Sequence, residues 1–239
     1  MDNLLYFAIA LVASSIGSML GIGGGVIIVP TLISVGISKE LASVSSSLTV
    51  FIMAALSSYT YMKRKQGDIR TALVIIVGSV PGSYIGVYFN SRVSPELFKI
   101  LFSLLILFLL VLMLIKDKLP NMKLGKVSMV LFGIFIGILS GLFGIGGGPI
   151  TIPVLLVFFA LKQKMASATS SYVTLMTALI SVLSNVATGN KDLSLALFMI
   201  PGAIIGARIG TFLNSKVSEK SLTIIFNILL VYLLIRQFI

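Results

Sequence analysis

The chain has no cysteine and no histidine in its 239 residues. Structural disulfides, thiol nucleophiles and haem ligation through either residue are thereby excluded, and the commonest zinc ligands and the usual neutral-pH proton shuttle are missing too. Carboxylates are nearly as scarce. The seven present, Asp2, Glu40, Asp68, Glu96, Asp117, Asp192 and Glu219, all fall in loops or at the edges of apolar runs. A proton-driven carrier usually keeps an acidic or histidine relay inside the membrane, and none is evident. No nucleotide-binding P-loop occurs, so ATP hydrolysis by this chain is not expected.

Charge of either sign is sparse. Charged residues make up 10% of the chain and hydrophobic ones 57%, with a mean hydropathy of +1.13. A soluble domain has roughly 25% charged residues, so a solvated globule is excluded. The apolar runs cover approximately residues 4–35, 41–62, 71–91, 97–115, 127–161, 165–188, 193–213 and 221–238. Each approaches or exceeds the roughly 17–25 residues that cross a bilayer as a helix. None alternates polar and apolar residues as a membrane β-barrel strand would. The class is an all-α polytopic membrane protein. The net charge of +11 sits mostly in short loops, where it sets orientation against the membrane and is no nucleic-acid footprint. Residues 1–15 resemble a signal peptide only superficially. Asp2 stands where a basic residue should be, so they are read as part of a retained first membrane segment.

What the chain has in abundance is glycine, and it is written twice. Leu20-Gly21-Ile22-Gly23-Gly24-Gly25-Val26-Ile27-Ile28-Val29-Pro30 returns as Phe143-Gly144-Ile145-Gly146-Gly147-Gly148-Pro149-Ile150-Thr151-Ile152-Pro153. Ala42-Ser43-Val44-Ser45-Ser46-Ser47 returns as Ala166-Ser167-Ala168-Thr169-Ser170-Ser171. The same offset aligns Asn90-Ser91-Arg92-Val93-Ser94 with Asn214-Ser215-Lys216-Val217-Ser218, and Gly78, Gly82 and Gly86 with Gly202, Gly206 and Gly210. The expected organisation is two homologous four-segment repeats, residues 1–116 and 127–239, joined by a connector at 117–126. Glycines four apart give a helix a flat stripe against which another backbone packs closely.

The orientation of the repeats depends on the glycine segments. If they pass straight through, lysines and arginines divide fairly evenly between the two faces. If they turn back, positions 63, 64, 65, 70, 116, 118, 123, 126, 162, 164, 216 and 220 share one face, leaving 39, 92, 99, 191 and 236 on the other. The positive-inside rule favours the second, inverted arrangement, with the 63–70 and 116–126 loops in the cytoplasm.

Three consecutive glycines in an apolar run read as a deliberately broken helix, and broken helices in duplicated halves point to a transporter binding site. The freed backbone groups are tolerable in a membrane only when buried in protein or facing a polar cavity. A restarting helix presents free N–H groups and a positive dipole end, a natural seat for an anion. Pro149 suits the first turn of such a restart, whereas Val26 stands there in the first copy. The candidate substrate-binding residues are Gly23, Gly24, Gly25, Pro30, Gly146, Gly147, Gly148, Pro149 and Pro153 on the glycine segments. To these are added the hydroxyls of Ser45, Ser46, Thr169 and Ser170, with Arg208 as the one cation inside an apolar segment. A kink for packing, helix capping, and snorkelling of Arg208 to the interface are the structural alternatives. No catalytic residue, metal ligand or cofactor is expected.

These duplicated motifs resemble the sulfite exporter TauE/SafE family, also called the toluene-sulfonate uptake permease family, over essentially the whole chain. The resemblance implies a secondary transporter of a prokaryotic inner membrane for sulfur-containing or organic anions of the sulfite, sulfonate or sulfoacetate type. The expected partners are a small anion and the lipid bilayer, with self-association allowed and nucleic acid excluded. An anion channel is the alternative, and an integral membrane enzyme a more distant one.

Overall fold

The computed structural model describes residues 2–118, 125–189 and 192–236. Most of the expected connector (119–124), and Lys191 of the charge comparison, lie outside the described residues. Among those described there are ten α-helices and no strand. They are α1 (Asp2–Leu20), α2 (Gly25–Ser34), α3 (Lys39–Lys63), α4 (Ile69–Asn90), α5 (Pro95–Ile115), α6 (Lys126–Phe143), α7 (Gly148–Phe158), α8 (Gln163–Ala187), α9 (Ser194–Lys216) and α10 (Glu219–Arg236). Seven are long and apolar enough to cross a membrane, whereas α2 and α7 have only 10 and 11 residues. The expected first and fifth apolar runs are thus each two helices, split at the glycines.

Local chemistry sets the helix starts. The Ser38 hydroxyl accepts from Leu41 N–H to cap α3, and Ser94 does the same for α5 through Leu97 N–H, with Pro95 in the first turn. Asp68 caps α4 with its Oδ1 accepting from Arg70 and Thr71 N–H. Burial pushes its carboxyl up, but the Thr71 hydroxyl, these two amides and the Arg70 charge together hold it below the ordinary value of 3.8.

The glycine stripes are packing seams. A Cβ on Gly78, Gly82 or Gly86 of α4 would stand 2.1–2.4 Å from the carbonyl oxygens of Val130, Ile134 and Ile138 on α6, taken in that order. Gly202, Gly206 and Gly210 of α9 meet the carbonyls of Phe7, Leu11 and Ser15 on α1 in the same way. Numbers rise together along each seam, so α4 runs alongside α6, and α9 alongside α1, in the same direction. At the seam ends, the Asn90 and Asn214 side-chain amides donate to the carbonyls of Leu142 and Met19 at 2.5 and 2.7 Å. These carbonyls belong to the last turns of α6 and α1, where no intrahelical donor remains.

Between the seams lie α3 and α8. Val50 and Thr174 both reach the glycine segments, and further along α3 the Ser58 hydroxyl donates to Ser171 O, earlier along α8. The two helices therefore run in opposite directions. At one end of the bundle Lys39 reaches the carbonyls of Asn90 and Val93, and Arg236 bonds the hydroxyls of Thr31 and Ser34. At the other, Arg64 donates to Thr211 O, and Lys164 lies 3.5 Å from Ser215 O.

Candidate functional site

Both glycine segments adopt the same strained-looking path, and glycine is what makes it inexpensive. Gly21, Gly23 and Gly24 have φ of +80, +85 and +64°, and Gly144, Gly146 and Gly147 have +68, +77 and +76°. Side-chain-bearing residues meet steric penalties of roughly 1–2 kcal/mol in this left-handed region. Gly25 and Gly148 serve a second need, close approach. A Cβ on Gly25 would fall 2.6 Å from Ile145 Cα, and one on Gly148 would fall 2.4 Å from Ile22 C. The two turns thus lie directly against each other in the buried middle of the molecule.

Each turn is gripped from the other half of the chain. The Ser46 hydroxyl donates to Gly144 O at 2.9 Å, and the Ser170 hydroxyl donates to Gly21 O at 2.7 Å. Gly144 also packs on the Ser43 backbone and Gly21 on that of Ser167. Carbonyls freed by breaking a helix are thereby satisfied without water, as the membrane interior demands. All of these serines are buried.

The expected site residues therefore separate into groups. Gly23, Gly24, Gly25, Gly146, Gly147, Gly148, Ser46 and Ser170 meet at the crossing of the turns, with Pro149 opening α7 behind Gly148. Thr169 accepts from Asp68 N–H at 2.8 Å and so holds the loop between α3 and α4. Ser45 is buried with no partner for its hydroxyl. Pro30 and Pro153 lie inside α2 and α7, both buried. Arg208 is exposed on α9 and is not brought to the crossing.

Sequence reasoning missed Ser140, Thr174 and Thr177. The Thr177 hydroxyl donates to Gly146 O at 2.6 Å, and the Cβ of Ser140 lies 3.4 Å from where a Cβ on Gly147 would stand. A signal was present: Ser167, Ser170, Thr174, Thr177, Ser181 and Ser184 follow helical spacing and line one buried face of α8. Among the described residues no group of three His, Cys, Asp or Glu could hold a metal ion.

Two cavities open at opposite ends of the bundle. One, of about 720 Å³, is walled by Val29, Pro30 and Ser34 of α2, Lys39 and Glu40, the start of α5, and Arg236. The other, of about 840 Å³, is walled by Leu156 of α7, Lys162 and Gln163, the start of α10, and Lys116.

An all-helical bundle with two interrupted spans meeting at its buried centre defines a polytopic membrane transporter. The TauE model, described as sulfite exporter TauE/SafE, matches residues 6–236, and the chain belongs to that family. It is a family of transporters and not of enzymes. The "Probable membrane transporter protein YunE" of Bacillus subtilis is 30% identical over 97% of this chain and 95% of its own length. A "Probable membrane transporter protein" of Methanocaldococcus jannaschii is 27% identical over 95% of this chain and 91% of its own. "Sulfite exporter TauE/SafE family protein 6" of Arabidopsis thaliana is 30% identical over 39% of this chain and 22% of its own. No solved structure matches significantly.

Proposed function

We propose that this protein is a secondary carrier for sulfur-containing oxyanions, of the sulfite, sulfonate or sulfoacetate type, in a cell inner membrane. It works by alternating access between two oppositely oriented repeats, residues 1–116 and 127–239. The observation that carries this reading is the back-to-back pair of left-handed glycine turns, each clasped by a serine from the other half. Helix starts at Gly25 and Gly148 aim the positive ends of two dipoles at one buried region, which suits an anion. With no buried carboxylate among the residues at the crossing, a metal cation has nothing to pair with there.

The antiparallel course of α3 and α8, together with the parallel seams α1/α9 and α4/α6, supports the opposite orientation of the repeats. On this reading α2 and α7 turn back from the centre, one towards each face, and each cavity is an access vestibule. The clasps Ser46–Gly144 and Ser170–Gly21 hold the halves together in a closed state, and one half rocking against the other exchanges them. The lysine-rich face is cytoplasmic by the positive-inside rule. The carrier reading is preferred to a channel because the turns are packed shut against each other with every flanking residue buried.

The test is uptake of radiolabelled sulfite into proteoliposomes under anaerobic conditions. Saturation with sulfite concentration and acceleration by sulfite on the opposite side are expected. Linear, non-saturating flux would replace the carrier with a channel, and absence of flux for sulfite and for a panel of sulfonates would remove the substrate class.

A further inference from the structure

The two glycine turns share a fold but not a chemical environment. Aligned by the internal duplication, Ser140, Thr174 and Thr177 of the second half correspond to Gly17, Val50 and Met53 of the first. The second half thus brings three hydroxyls to the crossing, Ser140 and Thr177 beside the second turn and Thr174 between the two, where the first half has none at the matching positions. Ser140 and Thr174 are completely buried, and neither hydroxyl has a partner. Thr174 sits between the turns, its methyl 3.0 Å from where a Cβ on Gly23 or Gly146 would stand, so one χ1 rotation turns its hydroxyl to the crossing. A buried hydroxyl without a partner costs about 1–3 kcal/mol, and two at one turn in a membrane protein ask for a polar occupant.

The backbone tells the same story independently. In the first turn Ile22 N–H donates to Gly17 O at 2.9 Å and Gly25 N–H to Gly23 O at 2.7 Å. Among the described residues, the corresponding amides of Ile145 and Gly148 have no backbone acceptor, while those of Gly146 and Gly147 are free as their counterparts Gly23 and Gly24 also are. The first turn is also sealed sterically, since a Cβ on Gly17 would lie 2.4 Å from Gly24 N. At the same place in the second half there is room for the whole side chain of Ser140.

We infer that the carrier has a single oxyanion seat, in the second half. There the Gly147 and Gly148 amides and the hydroxyls of Ser140 and Thr174 donate to the anion, while Thr177 positions the turn through Gly146 O. The first turn is its structural counterpart and binds nothing. This rests on the oxyanion reading above and assigns that reading's site to one half.

The test uses the full chain in lipid nanodiscs with sodium sulfite as the probe, read by titration calorimetry. Wild-type protein is expected to bind one sulfite per chain. Thr174→Val and Ser140→Ala are each expected to weaken binding about ten-fold or more, the loss expected for a hydrogen bond to a charged group. Met53→Leu, at a side chain that packs beside Gly24 of the first turn, is expected to leave affinity and stoichiometry unchanged. A stoichiometry of two, or wild-type affinity in both T174V and S140A, overturns the single seat while leaving the oxyanion reading intact. Wild-type protein that binds neither sulfite nor any sulfonate overturns that reading, and this inference with it. If one variant is lost to misfolding, the other and the stoichiometry still decide.

Discussion

At the scale of single residues, the glycine signature answers two separate physical demands that a motif alone does not distinguish. Gly21, Gly23 and Gly24, with Gly144, Gly146 and Gly147, occupy the left-handed region, whereas Gly25 and Gly148 are required because another backbone lies where a Cβ would be. Gly147→Val combines both faults: φ is +76°, and its Cβ would stand 2.9 Å from Ile136 Cγ2. A β-branched residue there costs roughly 1–2 kcal/mol in backbone strain before any clash is counted. Sulfite uptake by G147V in proteoliposomes is expected to fall below a tenth of wild type with membrane insertion retained. Wild-type uptake would show that the turn bears no ligand. Losing the Ser170 clasp acts differently, because Ser170→Ala leaves Gly21 O buried without its 2.7 Å donor, a cost of about 1–3 kcal/mol.

At the scale of helices, the seams and caps separate what the sequence makes legible from what it hides. Gly206→Leu would drive a Cβ to 2.5 Å from Leu11 O and pry α9 from α1. Overpacking of this kind typically costs about 1–3 kcal/mol, and a lowered midpoint of thermal unfolding in detergent is the expected readout. Asp68 carries a pH signature. Its carboxyl titrates below its ordinary value of 3.8 in the folded protein. The stability that its charge contributes is therefore full above that value and is lost as pH falls through the depressed folded value. Asp68→Ala should cost about 1 kcal/mol as a lost cap, with the difference from wild type constant near neutral pH and shrinking below pH 3.8. A difference independent of pH down to strongly acid conditions would deny the carboxylate its role. The helix breaks and the stripes were legible because glycine runs and four-residue spacing are local patterns. The clasps were not, since Ser46 and Ser170 bond turns about a hundred or more residues away in the other half. Thr174 and Thr177 were hidden for another reason: in an apolar run a threonine reads as a tolerable helix residue until its neighbours are known. Arg208 drew notice by its charge, yet α9 turns it outward.

At the scale of the whole molecule, orientation is the property on which the transport cycle depends, and the chain's own composition supplies the means to measure it. With no native cysteine, a single introduced thiol reports the accessibility of one position. Arg92 and Lys216 correspond under the internal duplication and occupy matching places after α4 and at the end of α9. Parallel repeats put the two on the same side of the membrane, and inverted repeats put them on opposite sides. Val93 O, next to Arg92, accepts from Lys39, at the end of the bundle where Arg236 bonds α2. Lys216 follows Ser215, whose carbonyl lies near Lys164, at the end where Arg64 reaches Thr211. In intact cells, a membrane-impermeant maleimide is therefore expected to label Arg92→Cys and to spare Lys216→Cys and Lys65→Cys until the membrane is opened. Equal labelling of R92C and K216C in intact cells would make the repeats parallel. The glycine segments would then have to pass straight through, and neither vestibule could open to its face by the rocking of one half against the other.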